Sequence, residues 1–120
     1  MQEVPNADVV VTNPTHFSVA LKYDQFGNRA PILVAKGVDE MAMHIRTIAN
    51  AHDVPIVASP MLARAIYYST EAEHEIPEKL FMAVAQVLAY VYQLKAYKQG
   101  SGKRPKPLKS NLPIPPELRR

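Results

Sequence analysis

The sequence predicts one small α/β domain, in which a mixed four-stranded sheet is flanked by three to four helices and followed by an extended proline-rich tail. Three observations lead to this fold class. Four short runs are rich in β-branched or apolar residues, longer segments between and after them carry apolar residues at helical spacing, and this periodicity stops near residue 100. A chain of 120 residues suits a single hydrophobic core.

The four predicted strands are bounded by Asn, Pro, Gly or Asp, which are common in turns. In the second strand, larger side chains from Phe17 to Tyr23 alternate with Ser, Ala and Lys, so one face is expected on the core. The third and fourth strands are apolar throughout, as is typical of strands covered on both faces. The predicted strands are residues 9–12, 17–23, 32–35 and 54–58.

The first predicted helix lies between the third and fourth strands, where apolar residues recur at helical spacing over residues 38–49. Asp39 and Glu40 fall in its first turn, where the helix dipole favours negative charge. A strand followed by a helix and another strand implies a right-handed parallel crossover.

Two further helices are predicted after the fourth strand. Ser59 followed by Pro60 suits an N-cap and a first helical position. The last and longest helix begins near Pro77, carries an apolar stripe, and ends before Gly100.

The chain divides into three parts: residues 1–7, the domain at residues 8–99, and a basic flexible tail at residues 100–120. The tail contains five prolines and almost no periodicity, so it is not expected to form a core of its own. After residue 94, eight basic residues oppose one acidic residue, a local charge of +7 in a chain of +3, which leaves −4 for the rest. Such a tail is typically a solvated segment, or it attracts anionic partners.

Several classes of site are not indicated. The chain has no cysteine, which excludes disulfides and thiolate chemistry. No apolar run approaches the roughly 18 to 20 residues that span a bilayer, so a soluble chain is expected. The histidines and glutamates lack the spacing of a metal site, and there is no glycine-rich phosphate loop, so no metal or cofactor is predicted.

The connection between the first two strands carries the candidate chemistry, since only Asn13, Pro14, Thr15 and His16 join them. Pro14 has no backbone N–H, so it cannot attack the Asn13 side chain as in deamidation. Its amide can still leave if Asn13 Nδ2 attacks the Asn13 carbonyl carbon, which would cut the chain and leave a C-terminal succinimide. The alternative is an ordinary turn that is not cleaved, because Asn-Pro pairs often begin turns.

A carboxamide nitrogen is a weak nucleophile, so the fold must assist it. The residues present offer three alternative ways to assist it. The fold holds Nδ2 about 3 to 3.5 Å from the carbonyl carbon, or the backbone is strained at Thr15 if the turn is type II. The third way is proton transfer by His16.

The segment that contains this turn, DVVVTNPTHFSVALKYD at residues 8–24, resembles the FlhB/YscU family of export switch proteins. Further stretches resemble the same family in the same order, and the helix segment QVLAYVYQLK with the proline-rich tail favours the flagellar branch. These further stretches are residues 31–37, 54–57, 60–67 and 76–95.

The resemblance implies self-cleavage between Asn13 and Pro14, with the two pieces remaining associated. It also implies a role in switching a type III export gate from rod and hook substrates to filament substrates. The implied partners are other export-gate proteins, the hook-length control protein, export substrates and the protein's own cleaved piece. The family's domain hangs from a membrane segment at the cytoplasmic face of the bacterial inner membrane, so residues 1–7 are expected to belong to the connecting linker.

The resemblance further implies an apolar docking surface for early substrates at Ala30, Pro31, Ala85 and Leu88. The alternative places Ala85 and Leu88 in the core stripe of the last helix. Arg64 lies in another stretch that resembles the family, and it is also predicted to bind protein partners. The alternative is that Arg64 is a surface cation near acidic neighbours such as Glu71.

The primary hypothesis is therefore a self-processing module that acts once and is not an enzyme on other substrates. One rival is the homologous switch protein of an injectisome. Another is a docking domain that is never cut, whose basic tail binds an acidic partner or a membrane. Nucleic-acid binding through the tail is disfavoured, and it would require affinity that falls steeply with salt.

Overall fold

The domain is built on one mixed four-stranded sheet with three α-helices, which confirms the predicted fold class. The computed structural model describes residues 2–14, 16–23, 29–100, 102–108 and 112–119. The strands are β1 (Val9–Asn13), β2 (Phe17–Lys22), β3 (Ile32–Val38) and β4 (Ile56–Ala58). The helices are α1 (Asp39–Ala51), α2 (Pro60–Ser69) and α3 (Phe81–Lys98), and short 3₁₀ turns cover Val4–Asn6, Glu78–Leu80 and Pro116–Leu118.

The strand order is β3-β2-β1-β4, so β1 and β2 are central and β3 and β4 are the edges. β2 is antiparallel to both β1 and β3, whereas β1 is parallel to β4. β3 and β4 therefore run in the same direction, as predicted for a strand–helix–strand unit, but α1 connects opposite edges of the sheet. The handedness of this connection stays a prediction.

Two hydrophobic clusters lie on the two faces of the sheet. On one face, Val10 and Ala20 pack with Ile45 and Ala49 of α1. On the other face, alternate residues of the same strands pack against α2 and α3. Because successive side chains of a strand point to opposite faces, the central strands contribute to both clusters. This second cluster includes Val9, Val11, Val19, Leu21, Ile66, Val84 and Val87.

The edge strands correct one sequence-based expectation. β3 and β4 were expected to be covered on both faces, but each alternates between buried and partly exposed residues. The strands buried on both faces are β1 and β2, in the centre of the sheet. In β2 the predicted alternation is one of size, because the small residues Ser18 and Ala20 lie beneath α1 and are fully buried. The Ser18 hydroxyl donates a hydrogen bond to the Ala42 carbonyl oxygen at 3.0 Å.

The helix boundaries lie close to their predicted positions. α1 begins at Asp39, whose φ of 48° is unusual for a residue other than glycine. Ser59 occupies the N-cap of α2 and Pro60 its first turn, but the Ser59 side chain makes no capping hydrogen bond. A 3₁₀ turn separates Pro77 from the start of α3.

The C-terminal segment, which was expected to be an extended tail without a core of its own, packs on the domain and contributes to its core. Leu112 and Ile114 are only 3% and 4% exposed and belong to the same cluster as α3. Arg119 Nε donates to the Ile114 carbonyl oxygen at 2.8 Å, and Lys79 Nζ lies 2.8 Å from Glu117 Oε1. Burial of two aliphatic side chains requires no helical or strand periodicity, which is why the pattern did not reveal it.

Other parts of the tail prediction have different outcomes. Residues 103 and 104 are exposed, as expected of basic residues in solvent. Lys109 and Arg120 lie outside the described residues. The flexibility of the segment stays a prediction.

Gly37→Ala is expected to destabilise the domain by about 1 to 3 kcal/mol, because the added methyl group overpacks the contact between β3 and α1. A Cβ at this position would lie 2.5 Å from Met41 Cγ and 2.8 Å from Met41 Cβ. Urea denaturation measures the effect. Gly102→Ala is the matched control, since its Cβ would approach no atom closer than 3.6 Å. Equal unfolding midpoints for the two variants would contradict this account of the packing.

Candidate functional site

The β1–β2 connection is a tight turn, as predicted. Asn13 pairs with Phe17 in the antiparallel ladder, and the His16 backbone N–H donates to the Asn13 carbonyl oxygen at 2.9 Å. This hydrogen bond between the first and fourth residues defines a β-turn with Pro14 at its second position. Thr15 lies outside the described residues, so the predicted strain at that position stays a prediction.

The same hydrogen bond falls on the carbonyl group that cyclisation would attack. A backbone N–H on the Asn13 oxygen withdraws electron density from the carbonyl carbon and favours negative charge on that oxygen during attack. The donor is held by paired strands on both sides of the turn. The turn therefore already contains a hydrogen bond that would favour such an attack.

His16 has a partner that sequence reasoning missed. Its Nδ1 lies 3.6 Å from Asp39 Oδ1, and its carbonyl oxygen accepts a hydrogen bond from the Asp39 N–H at 3.0 Å. The sequence predicts Asp39 only as a residue in the first turn of a helix. The register between β2 and β3 places Val38 opposite Phe17, which brings the next residue to His16. No local pattern carries that information.

Aromatic contacts secure the strand that leaves the turn. The Phe17 ring lies 5.1 Å from the Tyr67 ring and 5.8 Å from the Tyr68 ring, both edge-to-face. Lys36 Nζ donates to the Tyr67 carbonyl oxygen at 2.9 Å and lies 4.7 Å from the centre of its ring. These contacts connect the turn to α2 and β3, and they limit the movement of the residue that follows His16.

Arg64 lies beside the turn. It lines a cavity of about 400 Å³ together with Asn13, His16, Phe17, Val38 and Asp39. Its Nε atom is buried and has no hydrogen-bond acceptor among the described residues. The alternative interpretation placed Arg64 near Glu71 as a surface cation, but within the described part of the chain these two residues form no ion pair.

The four predicted docking residues also come together. Ala30, Pro31, Ala85 and Leu88 line one groove of about 590 Å³. Leu88 is only 5% exposed and belongs to the core, as the alternative interpretation held, whereas Ala85 is exposed. The groove is completed by residues that sequence reasoning did not include, namely Tyr23, Arg29, Phe81, Ala89 and Tyr92.

The groove is apolar with charge at its margin. Arg29 Nη2 lies 4.0 Å from Glu75 Oε2. Burial raises the pKa of the Tyr92 phenol above its ordinary value, and the negative charge of Asp8 adds to that increase. The Tyr92 side chain is therefore neutral at physiological pH.

The turn and the groove lie at opposite ends of the β1–β2 hairpin. Asn13 is the last residue of β1, while Tyr23 follows β2 and its N–H donates to Asp8 Oδ2 just before β1. Five strand residues separate the two ends, which corresponds to about 16 Å. The turn therefore lies at one end of β2, and the groove lies at the other end of the same strand.

None of the helices in the described part of the chain combines the length and the apolar character needed to cross a membrane.

Comparison with known sequences gives consistent results. Residues 1–91 match the family described as FlhB HrpN YscU SpaS. The chain is 51% identical to the flagellar biosynthetic protein FlhB of Salmonella typhimurium over 118 residues, which is 98% of this chain and 30% of that protein. It is 54% identical to FlhB of Bacillus subtilis over 95 residues, or 79% of this chain and 26% of that protein. The chain thus spans less than a third of these relatives.

Solved structures agree with the sequence matches. The crystal structure of the cytoplasmic domain of FlhB from Shewanella putrefaciens matches with a TM-score of 0.94 and 52% identity, covering 99% of this chain and 92% of that one. An asparagine-to-alanine variant of the EscU C-terminal domain matches with a TM-score of 0.70 and 28% identity, covering 73% and 88%. The higher identity to FlhB favours the flagellar branch, and the chain belongs to the FlhB HrpN YscU SpaS family.

Proposed function

We propose that this domain cuts its own backbone between Asn13 and Pro14 and thereby takes part in switching the substrate specificity of a flagellar type III export gate. The observation that carries the proposal is the geometry of the turn. Asn13 and Pro14 occupy a β-turn between two paired strands, with the His16 N–H on the carbonyl oxygen of the bond to be cut. Membership of the family and high identity to flagellar FlhB proteins support the export role.

The reaction is an intramolecular acyl transfer. Asn13 Nδ2 attacks the Asn13 carbonyl carbon and forms a five-membered succinimide ring, while the bond to the Pro14 nitrogen breaks. One proton moves from Nδ2 to the Pro14 nitrogen, which leaves as an amine. His16 is suited to carry that proton, because Asp39 faces its Nδ1 and Nε2 remains for exchange. The domain acts once and has no turnover on other molecules.

The cut piece is expected to stay bound. Residues 1–13 contain β1, which pairs with β2 on one side and β4 on the other. Val4, Val9, Val10 and Val11 are fully buried. Cleavage leaves these ladder bonds and apolar contacts intact, so it frees the turn without unfolding the domain.

Within the same proposed function, the groove is the docking site for export substrates. Ala30, Pro31, Ala85 and Leu88 form its apolar wall, which suits an apolar segment of an early export substrate. Other export-gate proteins and the hook-length control protein are the remaining proposed partners. In the whole protein, a preceding membrane segment would hold this domain at the cytoplasmic face of the bacterial inner membrane.

The intact mass of the purified domain, followed during incubation at neutral pH, tests the proposal. Self-cleavage yields two pieces, one ending at Asn13 and one beginning at Pro14. The first piece carries a succinimide, which is one water lighter than the free acid. The groove also favours a second function, a docking module that is never cut, and a single covalent chain that persists for days would support it over self-cleavage.

Ala85→Asp is expected to weaken binding of a rod or hook export substrate at least about tenfold, because docking of the substrate would bury the new charge against an apolar surface. Isothermal titration calorimetry with the purified domain measures the affinity. Gln93→Asp is the matched control, since it adds the same charge to an exposed position of α3 outside the groove. Equal losses in both variants would refute a docking role for the groove.

A further inference from the structure

We infer that Arg64 is the binding site for the carboxylate that cleavage creates at residue 13. The inference rests on the proposed function, since the intact chain has no carboxylate there. It assigns Arg64 a role after the cut, in holding the new chain end.

The chemistry of the cut produces the ligand. The succinimide at Asn13 is neutral, and addition of one water molecule opens its ring. Opening at one C–N bond gives asparagine with a free α-carboxylate, and opening at the other gives isoasparagine with a side-chain carboxylate. Either product places one negative charge at the end of β1, and the Pro14 amine departs with the other piece.

Arg64 lies beside the position of this new charge, and its side chain has an unsatisfied hydrogen-bond donor. Arg64 and Asn13 line the same cavity. The buried Arg64 Nε has no acceptor among the described residues, and such a group is costly to leave unsatisfied. A guanidinium group binds a carboxylate through charge-assisted hydrogen bonds with matching planar geometry.

The start of α2 provides a second observation. The Ser59 N–H donates to the Thr12 carbonyl oxygen at 2.9 Å, so β1 ends beside the N-terminus of this ten-residue helix. The Ser59 side chain makes no capping hydrogen bond, and the first turn of α2 has no acidic residue. The helix dipole therefore favours an added negative charge at this position.

The other titratable groups that line the cavity are His16 and Asp39. Asp39 repels a new carboxylate, but it lies 3.6 Å from His16 Nδ1, which offsets its charge when the imidazole is protonated. The test is therefore made at one fixed pH.

A refolding competition tests the inference directly. The domain is first allowed to cut to completion and is then unfolded in urea with an excess of two peptides with the sequence of residues 1–13. One peptide ends in a carboxylate, and the other, which carries an isotope label, ends in a carboxamide. After dilution of the urea, native mass spectrometry gives the ratio of the two complexes.

The unsubstituted domain is expected to favour the carboxylate peptide about tenfold or more, which corresponds to a hydrogen bond with a charged group. In Arg64→Gln the ratio is expected to fall close to one, while Arg64→Lys retains part of the preference. The carboxamide peptide is the matched control, because a purely structural role of Arg64 would affect both peptides equally. A ratio near one in the unsubstituted domain, or an unchanged ratio in Arg64→Gln, would overturn the inference.

Urea unfolding of the cut domain and of the uncut domain provides a second test, which does not depend on efficient refolding. Arg64→Gln is expected to lower the unfolding midpoint of the cut domain more than that of the uncut Asn13→Ala domain. Equal shifts would overturn the inference while leaving self-cleavage intact. A chain that never cuts would overturn both the inference and the proposed function, and intact mass separates these results.

Discussion

Asn13→Ala is expected to abolish self-cleavage and to leave the fold unchanged. The substitution removes Nδ2, which is the nucleophile that closes the ring on the Asn13 carbonyl carbon, and alanine has no side-chain nitrogen to replace it. The Asn13 side chain makes no hydrogen bond with another described residue, so the variant should lose less than about 1 kcal/mol of stability. Intact mass after incubation and urea denaturation give the two readings.

Asn6→Ala is the control for this variant. Asn6 is exposed and precedes Ala7 outside the turn, so its replacement should leave the cleavage rate unchanged. Pieces with the masses of residues 1–13 and 14–120 from the Asn13→Ala chain would show that another group cuts the bond. The cyclisation mechanism would then be wrong.

Replacement of both Leu112 and Ile114 by alanine is expected to lower the free energy of unfolding by about 4 kcal/mol, at the lower end of the usual cost of truncating buried aliphatic residues. Both side chains are nearly fully buried in the cluster that includes α3. The total free energy of unfolding of a small domain is typically only about 5 to 15 kcal/mol, so this loss is large. Urea denaturation of the whole chain measures it.

Lys103→Ala with Lys106→Ala provides the matched control in the same segment. Both lysines are exposed, so their replacement should change stability by less than about 0.5 kcal/mol each. If the aliphatic pair costs no more than the lysine pair, the C-terminal segment does not contribute to the core, and the original expectation of a solvated tail would be right.

The strands, the helices and the tight turn between β1 and β2 were predictable because their signals are local. β-branched runs, helical spacing and an N-cap followed by proline each depend on residues a few positions apart. The proposed chemistry of the Asn13–Pro14 bond is also local, since one residue would supply both the nucleophile and the carbonyl group. The length of the connection required β1 and β2 to pair as neighbours.

Which strands were central could not be predicted in the same way. Apolar content alone favoured β3 and β4 as the strands covered on both faces, whereas they are the edges. Ser18 and Ala20 suggested a partly solvated face of β2, although they lie beneath α1. Small residues allow a helix to approach a sheet closely. Their size alone does not distinguish a position beneath a helix from a position exposed to solvent.

The sequence by itself determined the order of the elements and the bond that is suited to self-cleavage. Only the tertiary structure decided that Asp39 faces His16, that Arg64 lines the cavity beside Asn13, and that the C-terminal segment joins the core. The physical reason is the range of the interactions. Backbone preferences and bond chemistry act between neighbours in the chain, whereas these contacts depend on strand register and helix packing between residues that are distant in sequence.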